Sequence, residues 1–249
     1  QELYFTQVFR CAKKTGILAD DVKLTFIGFG TMNGTDGKPF KTRQGGVMRL
    51  ENLMKEINEA VLEKIMENRS GENVKEELRI NEKEAEEIAA KVGLAALKYG
   101  DLSNQASKDY IFDMKRFTSF DGNTGPYILY TAVRIKSILA KAGISGDIKT
   151  FSGQKTLLQP SNESERNLML KLIHFSETIE NAYQENAPHR ICQFVYELSD
   201  AFNQFYHENK IIAMEDEKRK NSWLALIAIT YGMLEISLDL LGMVIPEKM

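Results

Sequence analysis

From Asn81 onward the apolar residues return every three or four positions, and that period constrains the fold more than any other feature of the chain. Ala85, Ile88, Ala89, Val92, Ala96 and Tyr99 share one helical face, with Asn81 and Glu84 as a capping-box start and Gly100 as the end. Further helices are expected at about 126–142, 162–186, 188–207 and 217–241. Ser161 stands where it can cap the second of these, and Pro188 suits the first turn of the third. Leu168, Leu172, Phe175, Ile179 and Tyr183 point inward on one, and Ile191, Phe194, Leu198, Phe202 and Phe205 on the next. These stripes suffice for a four-helix core.

The first 62 residues mix periods. Leu3, Phe5, Val8, Phe9 and Ala12 predict an amphipathic helix ending near Gly16. Val22, Leu24, Phe26 and Ile27 read as a strand closing in Gly28-Phe29-Gly30, and a glycine-rich loop spans 34–46. A helix then starts near Leu50, with Leu53, Ile57, Val61 and Leu62 on its face. Helix, strand, loop, helix is an α/β pattern, and one strand cannot make a sheet. The chain opens in mid-pattern without a methionine, so we expect it to be cut from something longer. Three parts are expected: an α/β part over 1–62, an acidic helical connecting segment over 63–126 and a helical bundle over 127–249. The overall class is mainly α.

Charge and cysteine content exclude several functions. The net charge of −3 rules out a globally basic nucleic-acid binder. Cys11 and Cys192 make neither a disulfide framework nor a zinc site, which fits a reducing compartment, and the three histidines have no metal-ligand spacing. We expect Cys192 to pack in the bundle and Cys11 on the first helix. The apolar run Trp223–Ile245 contains Glu235 and Asp239, so it is read as a core helix and no membrane association is expected. That acidic pair is read as a solvated helix edge. No signal peptide is visible.

The most informative loop is GTDGKPFKTRQGGV. Residues 10–49 hold eight Lys or Arg against three Asp or Glu, and the loop sets Lys38, Lys41 and Arg43 among glycines. Cations on such a loop suit a polyphosphate, whose charge they can neutralise as a phosphoanhydride breaks; a plain basic surface loop has the same composition. The Walker spacing is absent.

The stretch GKPFKTRQGGVMRL resembles the signature loop of arginyl-tRNA synthetases, a divergent form of the Lys-Met-Ser-Lys-Ser motif of class I synthetases. The similarity continues through ALKYGDLSNQASKDYIFDMKRFTSFDGNTGPYILYTAVRIKSIL to the ending LDLLGMVIPEKM. The resemblance implies the C-terminal remnant of a Rossmann-like catalytic domain over 1–62, with the signature loop at 34–46, followed by an α-helical anticodon-binding bundle over 127–249. It implies a cytoplasmic, monomeric enzyme that joins L-arginine to tRNA(Arg) through arginyl-adenylate, taking ATP with Mg²⁺ as substrate and holding no tightly bound cofactor or metal. Lys41, Thr42 and Arg43 fall on the loop that stabilises the triphosphate, with Lys41 favoured as the dominant cation. Gln1, in a QxxYFxQ pattern, falls on the amino-acid side of the site. The His-Ile-Gly-His signature of class I enzymes does not occur among the three histidines, so this chain alone is expected not to form adenylate.

The helix expected at 126–142 carries a second candidate surface. Ile128, Ala132, Ile135, Leu139 and Ala142 form its apolar stripe. Tyr130, Arg134, Ser137 and Lys141 cluster opposite, with Tyr127 at the edge. An aromatic beside cations can stack an unpaired base and hold its phosphate, although an ordinary solvated face has the same pattern. With the resemblance, Tyr127, Tyr130, Arg134, Lys141 and the terminal Met249 become candidate tRNA contacts, and Lys218, Arg219 and Lys220 a further patch. The bundle holds 13 Lys or Arg against 15 Asp or Glu, so any RNA affinity must be local. A stand-alone RNA-binding or regulatory protein built from the same modules is the alternative.

Overall fold

The computed structural model describes residues 1–39, 49–69, 81–144, 146, 148–153 and 155–249. Ten helices and two short strands run in the order α1 (Glu2–Lys14), β1 (Met32–Asn33), α2 (Leu50–Arg69), α3 (Glu82–Leu102), β2 (Tyr110–Ile111), α4 (Met114–Phe117), α5 (Gly125–Lys141), α6 (Ile148–Gly153), α7 (Glu163–Ile173), α8 (Phe175–Glu185), α9 (Pro188–Glu208) and α10 (Glu217–Leu240) among the described residues.

The core belongs to α2, α3, α5, α7, α9 and α10, where Ile57, Tyr99, Ile128, Ile135, Leu168, Leu198 and Phe202 are sealed from solvent. Asn81 and Glu84 form the expected capping box at the start of α3, each side chain bonding the other's backbone N–H. Pro188 begins α9. Asn186, in the left-handed conformation at φ 51°, ends α8 just before it, so the chain reverses within three residues. At Gly125, where α5 starts, an added Cβ would overlap the Ala95 carbonyl, so glycine lets α5 cross close over α3.

α5 is more central than its stripe predicts. Leu129, Thr131, Val133 and Ile138 are buried as well as Ile128, Ala132, Ile135 and Leu139, because α3, α9 and α10 all pack against it. α10 is long and apolar enough to span a bilayer by length and composition alone, yet 61% of its most apolar window is buried inside the protein. Its helix ends in a Schellman arrangement: Gly242 (φ 69°) donates to Asp239 and Met243 donates to Leu238.

Four expectations are corrected. The strand read at Val22–Ile27 is coil, with Val22, Leu24 and Ile27 exposed and Phe26 half-buried. The strand pairing falls later, where Met32 and Asn33 lie parallel to Tyr110 and Ile111. Gly30 and Thr31 extend that contact by donating to the Ala106 carbonyl (2.8 Å) and the Asp109 carboxylate (2.6 Å). A strand needs a neighbour to satisfy its backbone, and the neighbour here stands opposite 32–33 rather than 22–27. The single helix expected at 162–186 is two, divided at His174. The His174 N–H turns back to the Lys171 carbonyl at 3.2 Å, and Thr178 opens α8 by directing both its N–H (3.0 Å) and its hydroxyl (2.8 Å) to the His174 carbonyl. Asn162, not Ser161, caps α7, while Ser161 donates its N–H and hydroxyl to the Glu165 carboxylate. The division expected between 62 and 63 falls inside α2, which runs unbroken to Arg69.

Candidate nucleic-acid interface

On α5 the exposed residues recur at the spacing anticipated: Tyr130, Ser137 and Lys141 are exposed, with Tyr127 and Arg134 half-buried beside them. The stripe exists because every other side of α5 is covered. Arg134 is its centre. Its Cζ lies 4.6 Å from the Tyr130 ring centroid and 5.7 Å from that of Tyr206 on α9. Its Nη1 donates to Asn203 Oδ1 at 2.7 Å. Cation–π contact of this kind holds a guanidinium flat against a ring without consuming its charge.

Asn203 in turn donates through Nδ2 to the Tyr127 hydroxyl (2.8 Å) and the Thr131 hydroxyl (3.2 Å). Burial pushes the Tyr127 phenol above its ordinary range, so this hydroxyl keeps its proton at neutral pH. Phe202, sealed in the core, stacks under Tyr206 at 6.0 Å with the rings 15° from parallel. The surface therefore presents two partly exposed tyrosine rings, 38% for Tyr130 and 40% for Tyr206, beside one charged guanidinium. Such rings can stack unpaired bases, and the cation can meet the intervening phosphate. Asn203 and Tyr206 were missed in the sequence. The only sign was a polar residue and a tyrosine flanking Phe202 and Phe205 on a helix otherwise read for its core.

The α5 stripe is positioned by its own N-terminus. Thr124 caps α5 by accepting from the Tyr127 N–H and donates its hydroxyl to the Ser119 carbonyl at 2.6 Å. The buried Tyr99 hydroxyl lies 2.7 Å from the Cys192 carbonyl and 2.5 Å from the Asn123 side-chain amide. Both partner atoms, the Cys192 carbonyl and Asn123 Oδ1, are acceptors, so the phenol donates its one proton between them. One hydroxyl thus ties α3, the turn before α5 and α9 together.

The remaining candidates stand as follows. Lys41, Thr42 and Arg43 lie outside the described residues. Gln1 is the exposed residue before α1, with no side-chain capping bond. Met249 is half-buried against the core, not a free terminus, and the tail leading to it is held by Lys98 donating to the Gly242 carbonyl and by a 2.5 Å pair between Lys136 and Glu247. Lys218–Lys220 is no free basic triad. Arg219 turns inward to the Gln159 carbonyl (2.7 Å) and the fully buried Glu165 carboxylate (3.2 Å), and Lys220 faces Glu217 at 3.6 Å. Glu235 is half-buried rather than solvated, and raises the Tyr231 phenol together with the larger effect of burial. Cys192 is buried and Cys11 exposed, and no metal-holding cluster occurs among the described residues.

Two family models divide the chain between them. Residues 1–114 match the catalytic domain of class I tRNA synthetases of the arginine type, and residues 128–249 match the DALR anticodon binding domain. Among curated relatives, arginine–tRNA ligase of Agathobacter rectalis is 58% identical over the whole of this chain, which covers 41% of that protein. The same enzyme of Alkaliphilus oremlandii is 53% identical, again over the whole chain and 40% of the relative. The chain thus spans about two fifths of the length of these relatives. Among solved structures, the arginyl-tRNA synthetase of Plasmodium falciparum superposes with a TM-score of 0.75 at 26% identity, covering 99% of this chain and 39% of that one. That of Thermus thermophilus gives 0.72 at 25% identity, covering 89% and 35%.

Proposed function

The chain belongs to the arginine–tRNA ligase family, and from that premise we propose that it is the C-terminal part of a ligase that activates L-arginine with ATP and transfers it to tRNA(Arg) in the cytoplasm. In the first step the arginine carboxylate attacks the α-phosphorus of ATP and pyrophosphate leaves; in the second a ribose hydroxyl of the tRNA end attacks the arginyl carbonyl and AMP leaves. In this proposal Lys41, with Thr42 and Arg43 on the signature loop, stabilises the charge that develops on the triphosphate as its anhydride breaks. Gln1 faces the amino-acid side, and Mg²⁺ enters with ATP as part of the substrate. The catalytic contribution of residues 1–62 is completed by parts of the family's catalytic domain that are not represented in this sequence, so no ATP–pyrophosphate exchange is expected from these 249 residues alone.

The bundle supplies RNA recognition. The observation that supports this best is the Tyr130–Arg134–Tyr206 group, where two partly exposed rings flank one cation at the surface of a domain that is acidic overall. Tyr127 and Lys141 extend the same stripe, the first as a braced edge and the second as an outlying cation. Met249, half-buried against the core, is in this proposal a further contact at the end of the tail.

The test is tRNA binding by this chain without ATP, read by fluorescence anisotropy of an arginine-specific tRNA at fixed salt. Tyr130→Ala is expected to weaken binding by roughly 1–3 kcal/mol through loss of a stacking platform. Arg134→Ala is expected to flatten the salt dependence by about one unit of slope. Ile135→Ala, wholly buried, should lower stability and leave the slope alone. If both surface variants bind like the parent, this stripe is not the RNA surface.

A further inference from the structure

We propose that Asn203 is a positioning residue for RNA binding: its amide fixes the Arg134 guanidinium against Tyr130 and Tyr206 while leaving the cation uncompensated. The proposal rests on the reading of the α5 stripe as the RNA surface.

Asn203 is half-buried on α9 and spends its whole side chain on α5. Its carbonyl oxygen accepts from Arg134 Nη1 at 2.7 Å, and its NH₂ donates to the hydroxyls of Tyr127 (2.8 Å) and Thr131 (3.2 Å). Thr131 is itself fully buried and donates to the Tyr127 carbonyl one turn earlier at 3.0 Å. Asn203 therefore holds three successive turns of the stripe in register with α9, which also carries Tyr206. An arginine side chain loses considerable rotamer entropy when fixed, and a group that fixes it beforehand lowers the cost of binding.

The chemistry of the amide matters. A carboxylate of the same length would hold Arg134 equally well but would neutralise it, and a neutralised guanidinium gives up its attraction for phosphate. Among the described residues, none of the ion pairs includes Arg134. The nearby Asp200 carboxylate acts on the Tyr127 phenol and sits exposed at the edge of the group. An amide is thus the one short side chain that can accept from Arg134, donate to two hydroxyls and add no charge.

The experiment measures binding of arginine-specific tRNA to this 249-residue chain across a salt series, with folding of each variant checked by circular dichroism. Asn203→Ala is expected to weaken binding about two- to tenfold, as for loss of one hydrogen bond, with the salt slope kept because Arg134 is still charged. Asn203→Asp is expected to flatten the slope by about one, matching Arg134→Ala. In the double variant Asn203→Ala/Arg134→Ala, the Asn203 change should add nothing further. A merely structural role would lower the melting temperature but would not move the slope. The proposal is overturned if Asn203→Asp keeps the parent slope, or if the effects of Asn203→Ala and Arg134→Ala add in full; the cycle decides the matter alone should the Asp variant not fold. If Arg134→Ala itself changes neither affinity nor slope, the RNA-surface reading has failed and the proposal falls with it.

Discussion

α1 and α9 carry apolar stripes of similar regularity, yet no residue of α1 is buried and eight of α9 are. α9 is packed by α5, α7, α8 and α10, and Phe194, Leu198, Phe202 and Phe205 are all buried, with Phe194 against Phe175 of α8 and Phe205 against Trp223 of α10. Around α1 the packing partner is the coil that follows it, where Phe5 stacks on Phe26 at 5.3 Å. Leu3 stays 72% exposed and Phe29 90%. Periodicity decides that a segment is helical; a facing surface decides whether the stripe contributes stability.

The largest expected effect breaks this comparison directly. Phe202→Ala should cost about 3–5 kcal/mol in urea denaturation, since it removes a sealed ring and leaves a cavity. Leu3→Ala should stay within about 0.5 kcal/mol. Equal losses would mean that the α1 stripe is covered in solution, and the contrast would disappear.

Next comes the buried pair beside the bundle. Glu165 has no exposed side-chain surface and faces Arg219 at 3.2 Å. Arg219→Ala strands that carboxylate, and a loss of about 3 kcal/mol is expected, moderated by the two bonds from Ser161. A smaller loss in the double variant with Glu165→Gln than in Arg219→Ala alone would confirm that the unpaired charge carries the cost. An unaffected single variant would show that water reaches Glu165.

The smallest effect concerns pH. Glu197 on α9 accepts from Lys171 (2.5 Å) and Gln193 (2.6 Å), and chiefly these two bonds hold its carboxyl below the ordinary range. The folded state therefore releases this proton more readily than the unfolded one. The pair's contribution is complete above the ordinary glutamate value of about 4.3 and fades as pH falls through the lower folded value. Both partners are 39% exposed, so screening limits the contribution to under about 1 kcal/mol. Lys171→Met should reduce the acid-side slope of stability by that small amount; an unchanged slope between about pH 5 and 3 would assign the acid sensitivity elsewhere.

Much of the site was legible where one helix carried all of it. Tyr130, Arg134, Ser137 and Lys141 were readable as one stripe because helical geometry places residues three and four apart on a common face whatever surrounds them. The partners on α9 were not legible, because no local rule links position 134 to positions 203 and 206. Arg219 was misjudged for the same reason: a charged side chain reads as a surface residue, and only the burial of Glu165 turns it inward.

What the sequence determined by itself was local: the capping box at Asn81, the start of α9 at Pro188, the helical period from 81 onward and the family signature around the basic glycine loop. These follow from backbone hydrogen bonding and side-chain spacing within a few residues. Tertiary structure decided which stripes are buried, that the strand pairing sits at 32–33 against 110–111, and that α5 is covered on all sides but one. It also brought Asn203 and Tyr206 to Arg134, because contacts across about seventy residues depend on how whole helices pack, and that is set by the sum of many burials rather than by any segment's own pattern.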